Sequence, residues 1–393
     1  MLLFTLILAI VLGYTGLCTL YLLTFALAGR LRPEPAVPGV TGRLRRVLVM
    51  LPAYREDAVI VDSAAAALRQ TYPRDHLEVV VIADSLQPET LDQLRQLPIW
   101  VVPVSFDVST KAKALQSALG HLPAAYDVAV VLDADNHMAV DCLFRLLAPF
   151  DRGFRAVQGH RVAKNLNTSV AILDAVSEEI NNHLFRRGHR ALGLSAALIG
   201  SGMAFDYALL RAVLPRVQVV SGFDKEMECV LLRDGVEIEY APRALIYDEK
   251  VQSAAVFEKQ RTRWLAAQLR ILRENIGPGF AALLRGNVDY FDKAFQALLL
   301  PRLMLLGSLV VLAVLAAAVG GWWVAAVAGL QLALLLLTFY LSVPDTLRPL
   351  VGVKELLRLP PLFFRFVRSL FKVGRAKKQF IHTPHGTDEA KVA

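Results

Sequence analysis

The stretch VVLDADNH delivers two carboxylates, Asp133 and Asp135, at the end of an apolar run. Alternate residues of an extended chain point to one side, so this pair could bind one divalent ion together with phosphate oxygens, although a solvated acidic turn has the same composition. Asp84, at the end of a second apolar run in VIADS, favours the metal site over the turn. Lys111 and Lys113 open a helical stretch before the pair, where a lysine can offset pyrophosphate charge or simply solvate a helix start. In ALIGSGMAFDYALL, Gly200, Ser201 and Gly202 either let backbone approach a ligand closely or make a tight turn. Their spacing fits neither GxGxxG nor a Walker loop, so dinucleotide binding and ATP hydrolysis lose support. GFDKEMECVLLRDG places Asp224 and Glu226 at a helix start, where acids cap and favour the dipole; an Asp facing an acceptor hydroxyl would instead be a general base. In EKQRTRWLAAQL, Gln260, Arg263 and Trp264 stand at i, i+3 and i+4 and share one helix face, a pattern that also suits an interfacial helix with a Trp anchor.

These residues need a scaffold. RVLVMLPAY, LEVVVIADS, PIWVVPVS and DVAVVLDAD are short β-branched runs ending in polar residues, and AVIVDSAAAALRQ and KAKALQSAL between them are helical. Continuous apolar strands alternating with helices predict an α/β fold with a mainly parallel sheet covered on both faces. Ligands of such sheets bind beyond the carboxyl ends of the strands. Those ends carry Tyr54, Arg55 and Glu56, then Asp84, then Asp133 and Asp135.

The 393 residues are 55% hydrophobic, too apolar for an ordinary soluble protein, and part of the chain is expected in a bilayer. Residues 2–29 carry no charge and exceed the roughly 20 residues that span hydrocarbon. Residues 303–319 and 324–343 form a second and third apolar run around Gly320, Gly321, Trp322 and Trp323, which reads as a membrane hairpin with an aromatic turn. Arg30, Arg32, Arg43, Arg45 and Arg46 crowd the exit of the first run, while Arg302 and the tail residues Lys372, Arg375, Lys377 and Lys378 lie at matching ends of the others. By the positive-inside rule the middle of the chain is cytoplasmic, in a multi-pass protein of a bacterial-type inner (plasma) membrane. The net charge of +8 follows from these flanks, and no aromatic-basic groove suggests a nucleic acid partner. The amphipathic, basic segment KELLRLPPLFFRFVRSLFKVGR predicts an interfacial helix. Cys18, Cys142 and Cys229 show neither disulfide nor zinc spacing, and His137, His160, His382 and His385 form no metal-ligand pattern.

Taken in order and spacing, PAYRE, VIADS, KAKAL, DAD, GSGMAF, FDKEME and QRTRW resemble the membrane-bound inverting family 2 glycosyltransferases with a GT-A fold. That group contains cellulose, chitin and hyaluronan synthases, the rhizobial chitooligosaccharide synthase and ceramide glucosyltransferase. The resemblance runs from Arg46 to about Ile276 and implies transfer from a nucleotide sugar, usually a uridine one, with Mg²⁺ or Mn²⁺. By the same resemblance Tyr54, Glu56 and Asp84 hold the nucleoside and Lys111 the diphosphate. Asp133 and Asp135 hold nucleotide and metal, with Asp135 the direct ligand, and Asp224 is the base. Arg263 would then hold the donor diphosphate, and Trp264, with Gln260 and Gly202, the acceptor. Phe223 departs from the family by replacing an acid, and Ser109 and Thr110 replace the more usual glycine. The expected division is 1–29 anchor, 46–253 GT-A catalytic domain, 254–295 interfacial helices, 296–343 hairpin and 344–393 interfacial helix with basic tail. The acceptor is expected to be a growing saccharide chain, with a possible export partner; the alternatives are a lipid acceptor and, more remotely, an inactive membrane scaffold.

Overall fold

The computed structural model describes residues 2–31, 43–122 and 126–372. Arg32, Arg375, Lys377, Lys378, His382 and His385 lie outside the described residues. The centre is an eight-stranded sheet of β1 (Val47–Tyr54), β2 (Leu77–Asp84), β3 (Trp100–Val104), β4 (Val128–Val131), β5 (His137–Met138), β6 (Ala156–Ala163), β7 (Met203–Asp206) and β8 (Ile238–Asp248). Its order is β3-β2-β1-β4-β7-β6-β8-β5. Pairing is parallel from β3 to β4, antiparallel on both sides of β7, parallel between β6 and β8, and antiparallel at the β5 edge. The sheet is thus mainly parallel, as the apolar runs predict, with two reversed strands that those runs do not announce.

Alternation along β1 shows how both faces are covered. Leu48 and Met50 join one apolar core with Leu115 and Leu119 of the helix Lys111–His121 and Met227 and Leu231 of the helix Phe223–Arg233. Val47, Val49 and Leu51 join the opposite core with Ile60 and Ala64 of the helix Ile60–Ala67. Full burial of each such side chain stabilises by about 1.5–3 kcal/mol for the larger aliphatic residues. Between β6, β7 and β8, Ile246 sits in a glycine cradle. A Cβ added to Gly159 or to Gly202 would stand 2.5 Å from its Cδ1.

Among the described residues two helices are long and apolar enough to cross a membrane, Thr5–Leu31 and Trp322–Ser342. The intervening helix Arg302–Ala318 has 17 residues, about 25 Å at the usual rise, short of a roughly 30 Å hydrocarbon core. It is bounded by Pro301 at its start and the Gly320–Gly321 turn at its end. The first and last of these helices are joined by hydrogen bonds from Thr15 Oγ1 to Gln331 Oε1 (2.7 Å) and from Gln331 Nε2 to the Leu12 carbonyl (3.0 Å). Trp322 and Trp323 begin the last helix rather than forming the turn, and both are exposed.

The amino-terminal helix (Leu2–Leu31) is seated on the sheet-bearing half of the molecule. It meets a turn of π-helix, His183–Gly188, so closely that a Cβ on Gly188 would fall on the Phe25 carbonyl. His183 Nε2 lies 2.9 Å from the Ala26 carbonyl oxygen, and the rings of Phe25 and His189 stack 3.7 Å apart. The basic amphipathic segment divides into the helices Val353–Leu356 and Leu359–Lys372, the second opening on Pro360 and Pro361. Phe363 of the second occupies the space that a Cβ of Gly307 would need, which holds it against the helix Arg302–Ala318.

Candidate active site

The carboxyl ends of β1, β2 and β4 lie side by side, with Tyr54 and Asp84 in register. Both β1 and β2 leave the sheet through a non-glycine residue in the left-handed region, Arg55 (φ 55°) and Ser85 (φ 58°), a costly conformation that clusters at functional sites. The Asp84 carbonyl accepts from the Arg55 amide at 3.1 Å, locking the two exits together. The Ser85 hydroxyl donates to the buried Asp84 carboxylate at 3.0 Å.

After β4 the chain turns. Asp133 and Asp135 are fixed from three sides. The Asp133 amide donates to Ser201 Oγ (2.9 Å), Ser201 Oγ donates to Asn136 Oδ1 (2.6 Å), and Asn136 Nδ2 donates to Asp135 and Asp248 (3.0 Å each). Ser201 therefore orders the acidic turn. Lys111 Nζ reaches Asp133 Oδ1 and the Gly200 carbonyl. The residue before it, Thr110, caps the helix by accepting from the Lys113 amide at 3.2 Å, which gives this departure from glycine a physical role. Lys113 instead donates to the Val108 carbonyl and does not line the cavity described below.

Asp224 stands in the first turn of the helix Phe223–Arg233. Gly222 precedes it at φ +79°, with Ala267 only 2.9 Å from where a Cβ would be. The Asp224 turn is thereby pressed against the long helix Ala254–Leu283, and Arg270 pairs with Glu226 at 2.8 Å across the contact. Phe223 is buried, and the Lys111 ammonium lies 5.9 Å from its ring centroid, within cation–π range. Phe223 thus faces the lysine that holds Asp133. Next to Asp224, burial alone would lower the Lys225 ammonium pKa, but Glu228 and Asp224 outweigh it and hold it above its ordinary value.

Gln260, Arg263 and Trp264 lie on one wall of a single cavity of about 1150 Å³. Tyr54, Glu56, Asp84, Lys111, Asp133, Asp135 and Asp224 line the same space. Gly202 does not. It packs behind the site on Ile246, while Gly200 is the glycine on the wall, with Asp224 Cβ 4.0 Å from where its own Cβ would stand. The Gln260 side-chain oxygen is buried and accepts no hydrogen bond from the described residues, and burial lowers the pKa of Arg263. Trp264 is 42% exposed, with the Arg261 guanidinium 4.1 Å from its ring centroid.

Sequence motifs miss a second group on the cavity wall. Glu178 pairs with Arg161 (2.7 Å), Lys250 (3.7 Å) and Arg186 (3.8 Å). Asp248 pairs with Lys250 (2.7 Å) and Arg161 (3.6 Å). These residues come from β6, the consecutive helices Ser169–Asn182 and His183–Gly188, the end of β8 and the loop after it, so no local spacing marks them. Burial alone would raise the Glu178 carboxyl, but Arg161, Lys250 and Arg186 hold it down at about 2. Beyond the group the cavity wall turns apolar, with Leu303, Leu306, Phe339 and Leu362.

A family model described as "Glycosyltransferase like family 2" matches residues 45–267. The chain is 24% identical over 229 residues to "Probable glycosyltransferase YdaM" of Bacillus subtilis (strain 168), a match covering 56% of this chain and 54% of that protein. It thus spans about half the length of this curated relative. Its fold is similar to that of the mannosyltransferase PcManGT from Pyrobaculum calidifontis, solved in complex with GDP-Man and Mn²⁺. The TM-score is 0.56 at 20% identity, over 94% of this chain and 99% of that one. The family match takes in every strand of the sheet and the Gln260–Trp264 turn, and extends over more than half of the chain: the protein belongs to the family 2 glycosyltransferases.

Proposed function

We propose that the protein transfers a sugar from a nucleoside diphosphate sugar, a uridine one in the first instance, to an acceptor hydroxyl with inversion, at the cytoplasmic face of a membrane. The observation that carries this reading is the meeting of Asp84, Asp133, Asp135 and Asp224 with Lys111, Arg263 and Trp264 on one cavity. Tyr54, Glu56 and Asp84 would hold the nucleoside, and Lys111 and Arg263 would flank the diphosphate. Asp224 would take the acceptor proton as the acceptor oxygen bonds to the anomeric carbon and the bond to the diphosphate breaks on the opposite side. Asp135, with Asp133, would hold Mg²⁺ or Mn²⁺. Among the described residues no cluster of three or more His, Cys, Asp or Glu forms a closed cage, which suits an ion that keeps substrate phosphates and waters as its other ligands. The Mn²⁺ bound by the mannosyltransferase of similar fold supports this assignment. When bound, such an ion supplies charge neutralisation on the departing diphosphate.

The acceptor reading is shaped by the far wall. Leu303, Leu306 and Phe339, from helices of the apolar hairpin, favour a lipid-borne acceptor over a free polysaccharide. The exposed ring of Trp264 favours a saccharide at the reacting end, so chain elongation, with an export partner, is the second reading. The apolar helices Thr5–Leu31 and Trp322–Ser342, flanked by Arg30, Arg43, Arg45 and Arg46, support insertion in a plasma membrane with the sheet on the cytoplasmic side.

The test is turnover of purified protein in detergent with a panel of UDP- and GDP-sugars and Mg²⁺ or Mn²⁺, read as nucleoside diphosphate release and product mass. Asp224→Asn should lower transfer by about 10²- to 10⁴-fold while nucleotide binding persists. Transfer at the parent rate would place the base elsewhere, and silence with every donor would favour the scaffold.

A further inference from the structure

The second charged group on the cavity wall has more positive than negative charge. Among the described residues, Arg161, Arg186, Lys250, Arg261 and Arg302 share only Glu178, Asp248 and Asp174. Arg261 pairs with Asp174 at 2.9 Å. Arg302 has no ion pair among the described residues; its Nη2 donates to the Ser177 carbonyl (2.9 Å) and hydroxyl (3.1 Å), and its Nη1 is buried without a hydrogen-bond partner. The Nε atoms of Arg261 and Arg161 are further buried donors without a partner among the described residues. Asp174 and Ser177 are i and i+3 on the helix Ser169–Asn182, so the two guanidinium groups dock one turn apart. Buried, unpaired guanidinium donors are costly unless an anion meets them.

Their surroundings say what kind of anion. On one side Arg261 covers Trp264, 4.1 Å from its ring centroid. On the other, Arg302 is followed directly by Leu303, and the wall continues through Leu306, Phe339 and Leu362. The cavity that Asp224 lines therefore also carries an aromatic platform, a cationic collar next to it and an apolar slot. We propose that the acceptor is a saccharide joined through a phosphate to a lipid: the sugar lies against Trp264, the phosphate lies between Arg261 and Arg302, and the tail occupies the slot. This rests on the glycosyltransferase reading above and specifies its acceptor. A phosphate that joins a saccharide to a lipid is a diester with one negative charge, and it would meet the buried donors of Arg261 and Arg302 that lack partners among the described residues. In the transfer itself the acceptor sugar hydroxyl loses its proton to Asp224, its oxygen bonds to the donor anomeric carbon, and the nucleoside diphosphate leaves with the electron pair; the lipid phosphate is unchanged.

The collar is tested without nucleotide. Full-length protein in detergent micelles is titrated with dioleoyl phosphatidic acid, with dioleoylglycerol as tails alone and with inorganic phosphate as headgroup alone, and binding is read by native mass spectrometry and thermal shift. Phosphatidic acid should bind, and the other two should bind at least tenfold more weakly. Arg302→Gln should weaken phosphatidic acid about tenfold or more, Arg302→Lys less, with nucleotide binding retained in both. Should Arg302→Gln fail to fold, Leu306→Trp, which fills the slot behind an intact collar, should give the same loss. Equal binding of dioleoylglycerol and phosphatidic acid, binding of inorganic phosphate as tight as the lipid's, or variants that all bind like the parent would overturn the proposal. The two readings fail separately. Turnover on neutral lipids or free sugars without phosphatidic acid binding removes only this inference, and phosphatidic acid binding without turnover on any donor removes only the transferase mechanism.

Discussion

At Gly222 a missing side chain sets the position of the proposed base. Its φ of +79° and its approach to Ala267 leave no room for a Cβ. Gly222→Ala should cost about 1–3 kcal/mol from the left-handed backbone and overpacking, and should move the Asp224 turn off the Gln260 helix. Transfer should therefore fall more than donor binding, as a lower kcat beside a nearly unchanged nucleotide Kd, with the stability loss read from thermal unfolding. Part of this neighbourhood is legible in the sequence. Gln260, Arg263 and Trp264 share a face because a helix repeats every 3.6 residues, and Asp133 and Asp135 follow a buried strand. Which glycine of Gly200-Ser201-Gly202 meets the cavity is not legible, because it depends on Ile246, distant in sequence and adjacent in the sheet.

Between elements, the buried ion group welds β6 and β8 to the helix Ser169–Asn182. Glu178 titrates ordinarily near 4.5 and is held at about 2, so its contribution is complete above about 4.5 and is lost as pH falls through the folded value. A shift of that size is on the order of 3 kcal/mol. Glu178→Gln should destabilise the protein near neutral pH and flatten the acid limb between pH 4.5 and 2. Denaturant melts across that range check both, and an acid limb identical to the parent's would remove Glu178 from the account. The strands themselves are readable from their apolar runs, and the helices between them from periodicity. The reversal of β7 is not, since an antiparallel partner buried on both faces has the same composition as a parallel one. The extent of Arg302–Ala318 is legible too, since the uncharged run 303–319 lies between Arg302 and the Gly320–Gly321 pair.

For the molecule as a whole, the proposed topology has the Trp322–Trp323 end of the hairpin on the far side of the membrane from the sheet. Single cysteines introduced at Trp323 and at Glu89, in a background where the three buried native cysteines are replaced, should report this directly. A membrane-impermeant maleimide should label the first in intact cells and the second only after permeabilisation. Labelling of both in intact cells, or of neither, would reject the arrangement. The seating of the amino-terminal helix on Gly188, backbone against backbone, carries a consequence of a different kind. In the proposed topology a flexible tether would let the cavity drift above the lipid, whereas a helix keyed into the sheet-bearing half would fix its altitude. Acceptors would then have to offer their hydroxyl at that height, and the protein would gauge how far a substrate protrudes from the bilayer with a ruler built of packing rather than of recognition.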